Sequence, residues 1–275
     1  MTLDATTAPT PGDQAEHGGT SAGLFGLRNK VAVVFGASAG GLGEHIARAL
    51  AGQGARLIVS ERPGLEDDAA SVARACGNAQ ADVCDVTDQD QVEALFNRVA
   101  GTHGQIDIVV NAAGIMLRKP YNETTKQEFE QVIQVNLVGT WLVNREAGRR
   151  MTPRRSGKII NISTVYAERV GPVPESAYYA SKAGIANVTR SMAAELGPHG
   201  ITVNCVAPGV FYPTKMTAAL AGQPEQLEWF TRRTMLGRLG DPARDIGGPV
   251  AMLASPAGDY ITGQVIYVDG GWSAW

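Results

Sequence analysis

The chain has 275 residues, 44% of them hydrophobic, with a formal net charge of −3. That is enough apolar content for a large core, and the charge offers no basic patch for nucleic acid or an anionic membrane. Cys76, Cys84 and Cys205 form no CxxC pair, so neither a disulfide framework nor a zinc spacing is present, and a reducing cytoplasm is expected. No apolar run reaches the roughly 18 residues of a membrane span. The opening stretch MTLDATTAPTPGDQAEHGGTSAG (1–23) lacks the basic start and apolar middle of a signal peptide. It reads as a mobile tail ahead of one domain over 24–275.

From Leu27 onward, apolar strand-like runs alternate with helical periodicity. VAVVFG (31–36) is a strand ending in glycine, GEHIARALAGQG (43–54) a helix, RLIVS (56–60) a strand, and LEDDAASVARACG (65–77) a helix with acidic residues in its first turn. After DVCDV (82–86), the helix in 87–104 opens on a Thr87 cap. IDIVVNAAG (106–114) is a strand, 125–150 a long helix, GKIINIST (157–164) a strand, and 176–198 a helix closed by Gly-Pro. ITVNCVAPG (201–209) is a strand, 216–222, 225–236 and 241–254 are helical, and QVIYVDGG (264–271) is the last strand. Nearly all-apolar strands alternating with helices predict an α/β fold: a doubly wound, Rossmann-type parallel sheet of about seven strands with helices on both faces.

Two places carry chemistry. In GASAGGLGEHIARAL, glycines at 36, 40, 41 and 43 let the backbone turn sharply after the first strand, and the helix that follows offers free N–H groups to a pyrophosphate. Glu61, at the end of the second strand, can accept hydrogen bonds from both hydroxyls of an adenosine ribose and repels a 2′-phosphate. Arg62 beside it is the counter-argument for NADP, but no basic residue in 36–43 assists it, so NAD is expected ahead of NADP. In SAYYASKAG (176–184), Tyr178 stands at i,i+4 to Lys182 and Tyr179 at i,i+3. Either phenol can share a helix face with the ammonium, whose charge favours a phenolate and so a base.

With these pieces in place, the sequence resembles the short-chain dehydrogenase/reductase family over about 24–275. CDVTD (84–88), NAAG (111–114), QVNLVGT (134–140), GKIINIST, YASK (179–182) preceded by Tyr178, NCVAPG (204–209) and ITGQVIYVDGG (261–271) fall in the family's order. The resemblance implies a catalytic set of Asn136, Thr164, Tyr178 and Lys182, with Tyr178 the general acid/base. Lys182 would also bond the nicotinamide ribose, Thr164 would hold the substrate oxygen and Asn136 a proton-relay water. It further implies a cofactor site built from Gly36, Ser38, Gly41, Leu42, Gly43, Glu61, Asp85, Val86, Asn111, Ala112, Gly114, Tyr178, Lys182, Pro208, Gly209, Val210 and Thr214, and a homotetramer or homodimer. No metal is expected: His17, His45, His103 and His199 stand in no metal spacing.

The chain departs from the family pattern at several points. The glycine loop, the segment from NIST to Tyr178 and the stretch PGVFYPT (208–214) each carry one extra residue, Ala112 replaces an Asn, and Phe35 replaces a Thr. Thr164 stands where a serine is usual, with Ser163 before it; successive strand residues face opposite ways, so one of the two enters the site, and Thr164 is favoured. Asn111 reads as structural, bridging strands. Substrate contacts are expected from 166–177 and 211–234, and the C-terminal WSAW (272–275) could reach a neighbouring subunit's site. The expected reaction interconverts a secondary alcohol and a ketone on a small cyclic or polyhydroxylated substrate. The alternatives are a 3-oxoacyl reductase using NADPH and a non-catalytic NAD-sensing module. An extended-type epimerase is disfavoured, because only 93 residues (275 − 182) follow Lys182.

Overall fold

Short buried aliphatic runs pair side by side in the computed structural model, which describes residues 21–77 and 79–274. They are β1 (Val31–Phe35), β2 (Arg56–Glu61), β3 (Gln80–Val83), β4 (Ile108–Asn111), β5 (Gly157–Ile162), β6 (Ile201–Pro208) and β7 (Val265–Val268). Among the described residues these strands form one sheet in the order β3-β2-β1-β4-β5-β6-β7, and every pairing is parallel. The chain winds outward from β1 to β3 and crosses back to lay β4 beside β1, which opens a crevice at the carboxyl ends of those two strands.

Alternation along each strand feeds two cores. Ala32, Val34, Ile108, Val110 and Ile160 face helices α2 (Leu42–Gly52), α3 (Glu66–Ala75) and α9 (Gly247–Ala254). Val31, Val33, Phe35, Val109 and Ile159 face α4 (Gln89–His103), α6 (Gly139–Met151) and α7 (Ser176–Leu196). The smaller helices are α1 (Ser21–Leu24), α5 (Lys126–Ile133) and α8 (Pro224–Arg232). No helix among the described residues is long and apolar enough to cross a membrane. The tail expected over 1–23 lies outside the described residues except for its last three, and so do His17 and Trp275.

Three local expectations are corrected. The cap of α4 is Asp88, whose carboxylate accepts from Asp90 N and Gln91 N, while the Thr87 hydroxyl donates to Asp85 at 2.7 Å. The helix expected over 125–150 is interrupted by a π turn, Gln134–Val138, which carries Asn136. Such turns insert an extra residue into the ladder and recur at functional sites. Of the helix expected over 241–254, only Gly247–Ala254 forms, because the Asp245 carboxylate takes Asp241 N and the Arg238 guanidinium and holds 241–245 as a turn.

The turn from β1 into α2 sets the approach to the crevice. A Cβ on Gly43 would lie 2.1 Å from the Gly36 carbonyl oxygen, whereas one on Gly40 (φ +73°) would meet nothing within 4 Å. Gly43→Ala is therefore expected to cost about 3 kcal/mol in urea unfolding, since backbone cannot yield. Gly40→Ala should cost only about 1 kcal/mol, for the left-handed conformation alone. Equal losses in the two variants would contradict this packing.

Candidate active site

The carboxyl ends of β1, β4, β5 and β6 meet the first turns of α7 here. Tyr178 and Lys182, on α7, are 6% and 4% exposed. The Lys182 ammonium donates to the Ile162 carbonyl at 2.9 Å and lies 5.6 Å from the centre of the Tyr178 ring. Thr164, just past β5, donates to the Pro208 carbonyl at 3.3 Å, and its hydroxyl faces the Tyr178 phenol closely enough to favour the phenolate. Ser163 faces the other way and donates to the Lys182 carbonyl at 2.8 Å, so of the two hydroxyls it is Thr164 that meets the phenol. The Tyr179 hydroxyl is taken by the Val173 carbonyl at 2.8 Å and its ring packs on Tyr166. Of the two phenols that spacing allowed, Tyr178 is the one beside the ammonium and Thr164.

Asn136 is fully buried, and the π turn places its amide against the loop after β4. Its Oδ1 accepts from Ile115 N at 2.8 Å, and its Nδ2 donates to the Ile115 carbonyl and to Ser181 Oγ, both at 2.9 Å. Asn111 donates to Thr140 Oγ1 at 2.9 Å and accepts from Ala113 N, so it joins a strand to helix α6 and to its own loop rather than strand to strand. Gly114 runs past both side chains: a Cβ there would lie 3.3 Å from Asn136 Oδ1 and 3.5 Å from Lys182 Nζ.

The glycine-rich end of the crevice has the form a dinucleotide needs. The first turn of α2 has no side-chain cap; Gly41 N donates to the Ser38 carbonyl at 3.0 Å, while the N–H groups of Leu42 and Gly43 make no hydrogen bond among the described residues and are open to a diphosphate. Gly40 leaves open space above them, and Glu44, whose carboxylate takes Gly40 N, is neutralised by Arg48 at 2.7 Å. Ser38 donates to Glu61 Oε1 at 2.6 Å, which sets the strand-end carboxylate beside the loop, where an adenosine ribose would lie. Asp85 is turned toward Thr87, and Val86 packs where Gly139 leaves room. Gly209 donates to the Val268 carbonyl and follows Pro208 beneath Thr164, and Val210 continues that loop. The Thr214 hydroxyl is shared with Thr217 in a helix cap. The residues present fit a nicotinamide dinucleotide.

Two features escaped sequence reading. Arg118, in the loop after β4, donates from Nε to Glu175 at 2.7 Å, and Glu175 is 3% exposed at the start of α7. The partners are 57 residues apart, so no local spacing signals the pair. The second is an aromatic wall, in which the Tyr166 and Tyr179 rings lie 5.1 Å apart, tilted by 45°, and Trp272 sits edge-on to Tyr166 at 4.9 Å. Trp272, the first residue of WSAW, packs against its own chain and is 7% exposed.

Charges in the site are set first by burial. Burial pushes the Tyr178 phenol above its ordinary range, the Glu175 charge adds to this, and Arg118 and the nearby Thr164 hydroxyl oppose it. Within the chain itself, burial outweighs the acidifying effect expected of the Lys182 cation, whose expected aid from a bound oxidised coenzyme lies outside this balance. Burial also lowers Lys182 to about 8.

A family model described as Enoyl-(Acyl carrier protein) reductase matches residues 36–273. Gluconate 5-dehydrogenase of Gluconobacter oxydans is 37% identical over 90% of this chain and 96% of its own length. Cis-4-hydroxycyclohexanecarboxylate dehydrogenase of Sinomonas cyclohexanicum is 38% identical over 89% and 97%. The crystal structure of a gluconate 5-dehydrogenase from Burkholderia cenocepacia, in complex with NADP and tartrate, superposes with a TM-score of 0.87 at 33% identity, covering 93% of this chain and 100% of that one.

Lys182 gives a test that needs no substrate. Its folded pKa of about 8 lies below the ordinary 10.5, so burying the charged form costs stability below pH 8. That cost is relieved as pH rises from the folded toward the unfolded value. Lys182→Met should be more stable than wild type at pH 7 by roughly 1–2 kcal/mol, after allowing for the lost hydrogen bond. Urea unfolding across pH 7 to 10.5 should show that advantage vanish; a variant less stable at pH 7, or a difference flat with pH, contradicts the burial penalty.

Proposed function

The chain belongs to the short-chain dehydrogenase/reductase family and is an NAD(P)-dependent alcohol dehydrogenase/ketone reductase, and from that premise we propose that it oxidises or reduces a small cyclic or polyhydroxylated substrate with Tyr178 as general acid/base. The observation that carries the proposal is the convergence of Tyr178, Thr164 and Lys182 at the carboxyl end of β5, two strands over from β1 and its glycine cradle. When bound, the dinucleotide takes up or gives the hydride and, oxidised, adds a positive charge. Tyr178 removes the hydroxyl proton of the alcohol as the carbonyl forms and returns it in the reverse direction. Thr164 holds the same oxygen by its hydroxyl. Lys182 opposes loss of the phenolate by its charge, and Asn136 acts by position, fixing the loop over the crevice through Ile115.

The substrate reading rests on the wall and the cation. Tyr166, Tyr179 and Trp272 offer a ring an aromatic, largely apolar surface. Arg118, whose charge reaches the Tyr166, Tyr178 and Tyr179 phenols, suits hydroxyl or carboxylate oxygens. A gluconate and a cyclohexanecarboxylate dehydrogenase among the relatives agree with that pairing. For the coenzyme we favour NAD, because the Glu61 carboxylate stands at the ribose end of the loop. The Burkholderia relative holds NADP, so the fold admits either and the strand-end side chain decides.

A panel of cyclic alcohols, sugar acids and hydroxysteroids, run with NAD⁺ and NADP⁺, identifies the substrate. On whatever it selects, Tyr178→Phe should lose about a thousandfold or more in kcat while NADH affinity holds within about threefold. Retained activity would refute Tyr178, and loss in Tyr179→Phe alone would move the base next door. Thr164→Ala should slow turnover more than Ser163→Ala, and the reverse order would reassign the hydroxyl. Glu61→Ala should raise the NADP⁺:NAD⁺ ratio of kcat/KM by about tenfold or more; a wild-type preference for NADPH would overturn the coenzyme reading.

A further inference from the structure

The pair between Arg118 and Glu175 has a second consequence. Glu175 occupies the N-cap position of α7 without a side-chain capping bond, is 3% exposed, and stands three positions before Tyr178 (178 − 175). It holds Arg118 by Nε alone, at 2.7 Å, and the two Nη groups make no hydrogen bond among the described residues. The two strands of chain are also joined by backbone, Lys119 N donating to the Pro174 carbonyl at 2.9 Å, so the ion pair sits in a fixed frame. A buried carboxylate this near a general base opposes formation of a second anion, and it persists only because a cation neutralises it.

We propose that Glu175 is a positioning residue of the reaction: its carboxylate anchors Arg118 beside Tyr178 and, with that guanidinium, forms a fixed pair of opposite charges that balances the field in which the Tyr178 proton moves. The inference rests on the reading of Tyr178 as the acid/base. Both charges act on the phenol, Glu175 strengthening its hold on the proton and Arg118 weakening it, after the larger effect of burial. The other titratable groups facing Tyr178 are Tyr179 and Lys182 on α7 and Tyr166 after β5, while α5 presents the apolar Val132. Glu175 and Arg118 are thus the oppositely charged pair whose removal, one at a time, should move the phenol in opposite directions.

The test is the pH profile of kcat/KM for oxidation, with saturating NAD⁺ and the alcohol of the panel that is turned over fastest. Its rising limb follows loss of the Tyr178 proton. Glu175→Gln keeps the shape and removes the negative charge, so the limb should move down by about one pH unit; Arg118→Met should move it up by a similar amount. The double variant should lie closer to wild type than either single one. Should Arg118→Met fail to fold, a lowered limb in Glu175→Gln that is restored in the double variant decides the matter. Limbs that stay put, or shift in one direction while rates fall, would reduce the pair to a structural brace and overturn the inference. An inactive Tyr178→Phe beside unmoved limbs removes this inference alone. An active Tyr178→Phe, or a panel without turnover, removes the reading beneath it as well.

Discussion

One helical turn of α7 places a phenol and an ammonium, both nearly dry, against the ends of β4 and β5. Neither group is at ease there. The phenol keeps its proton more tightly than it would in water, and the ammonium loses its own more readily. Much of the surrounding structure serves to hold them in that state. Ser181 and Asn136 lock α7 to the π turn, and Gly184 lets Leu137 come close, since a Cβ there would stand 2.8 Å from that side chain. Ile162 offers the ammonium a carbonyl, and Thr164 offers the phenol a hydroxyl. Burial of this kind costs stability, and functional sites are where such costs are retained.

The sheet was readable because parallel strands covered on both faces must be apolar throughout, as VAVVF and ITVNCVAP are. The glycine turn and the Tyr178/Lys182 spacing were readable because both are local: a turn needs glycine at fixed offsets, and i,i+4 is one face of a helix. What escaped was set by distance or by depth. The π turn leaves no mark in the periodicity of 125–150. The ion pair of Arg118 with Glu175 joins residues that meet only through the fold. The direction of the Tyr178 shift could not be read from spacing, which reports the nearby cation and says nothing of the water excluded around both groups.

That last difference reshapes the chemistry. On the proposed mechanism, a base that is protonated until a further cation arrives would be off when the crevice holds no oxidised coenzyme and on when it does. Lys182 then contributes beside the coenzyme's charge rather than alone. Glu61, Ser38 and the uncapped turn of α2 would hold the dinucleotide in the same crevice as the phenol, and the proposed mechanism links binding and acidity through it.

The most direct measurement is the proton affinity of Tyr178 itself. With [13Cζ]tyrosine in the chain and Tyr178 assigned by its loss in the phenylalanine variant, the resonance can be titrated in the free protein and in the NAD⁺ and NADH complexes. The expected midpoint lies above the ordinary value of about 10 in the free protein and falls by roughly two units or more with NAD⁺ but not with NADH. A midpoint already below 10 without coenzyme, or one that NAD⁺ leaves in place, would contradict the claim that burial holds the proton and the arriving cation releases it.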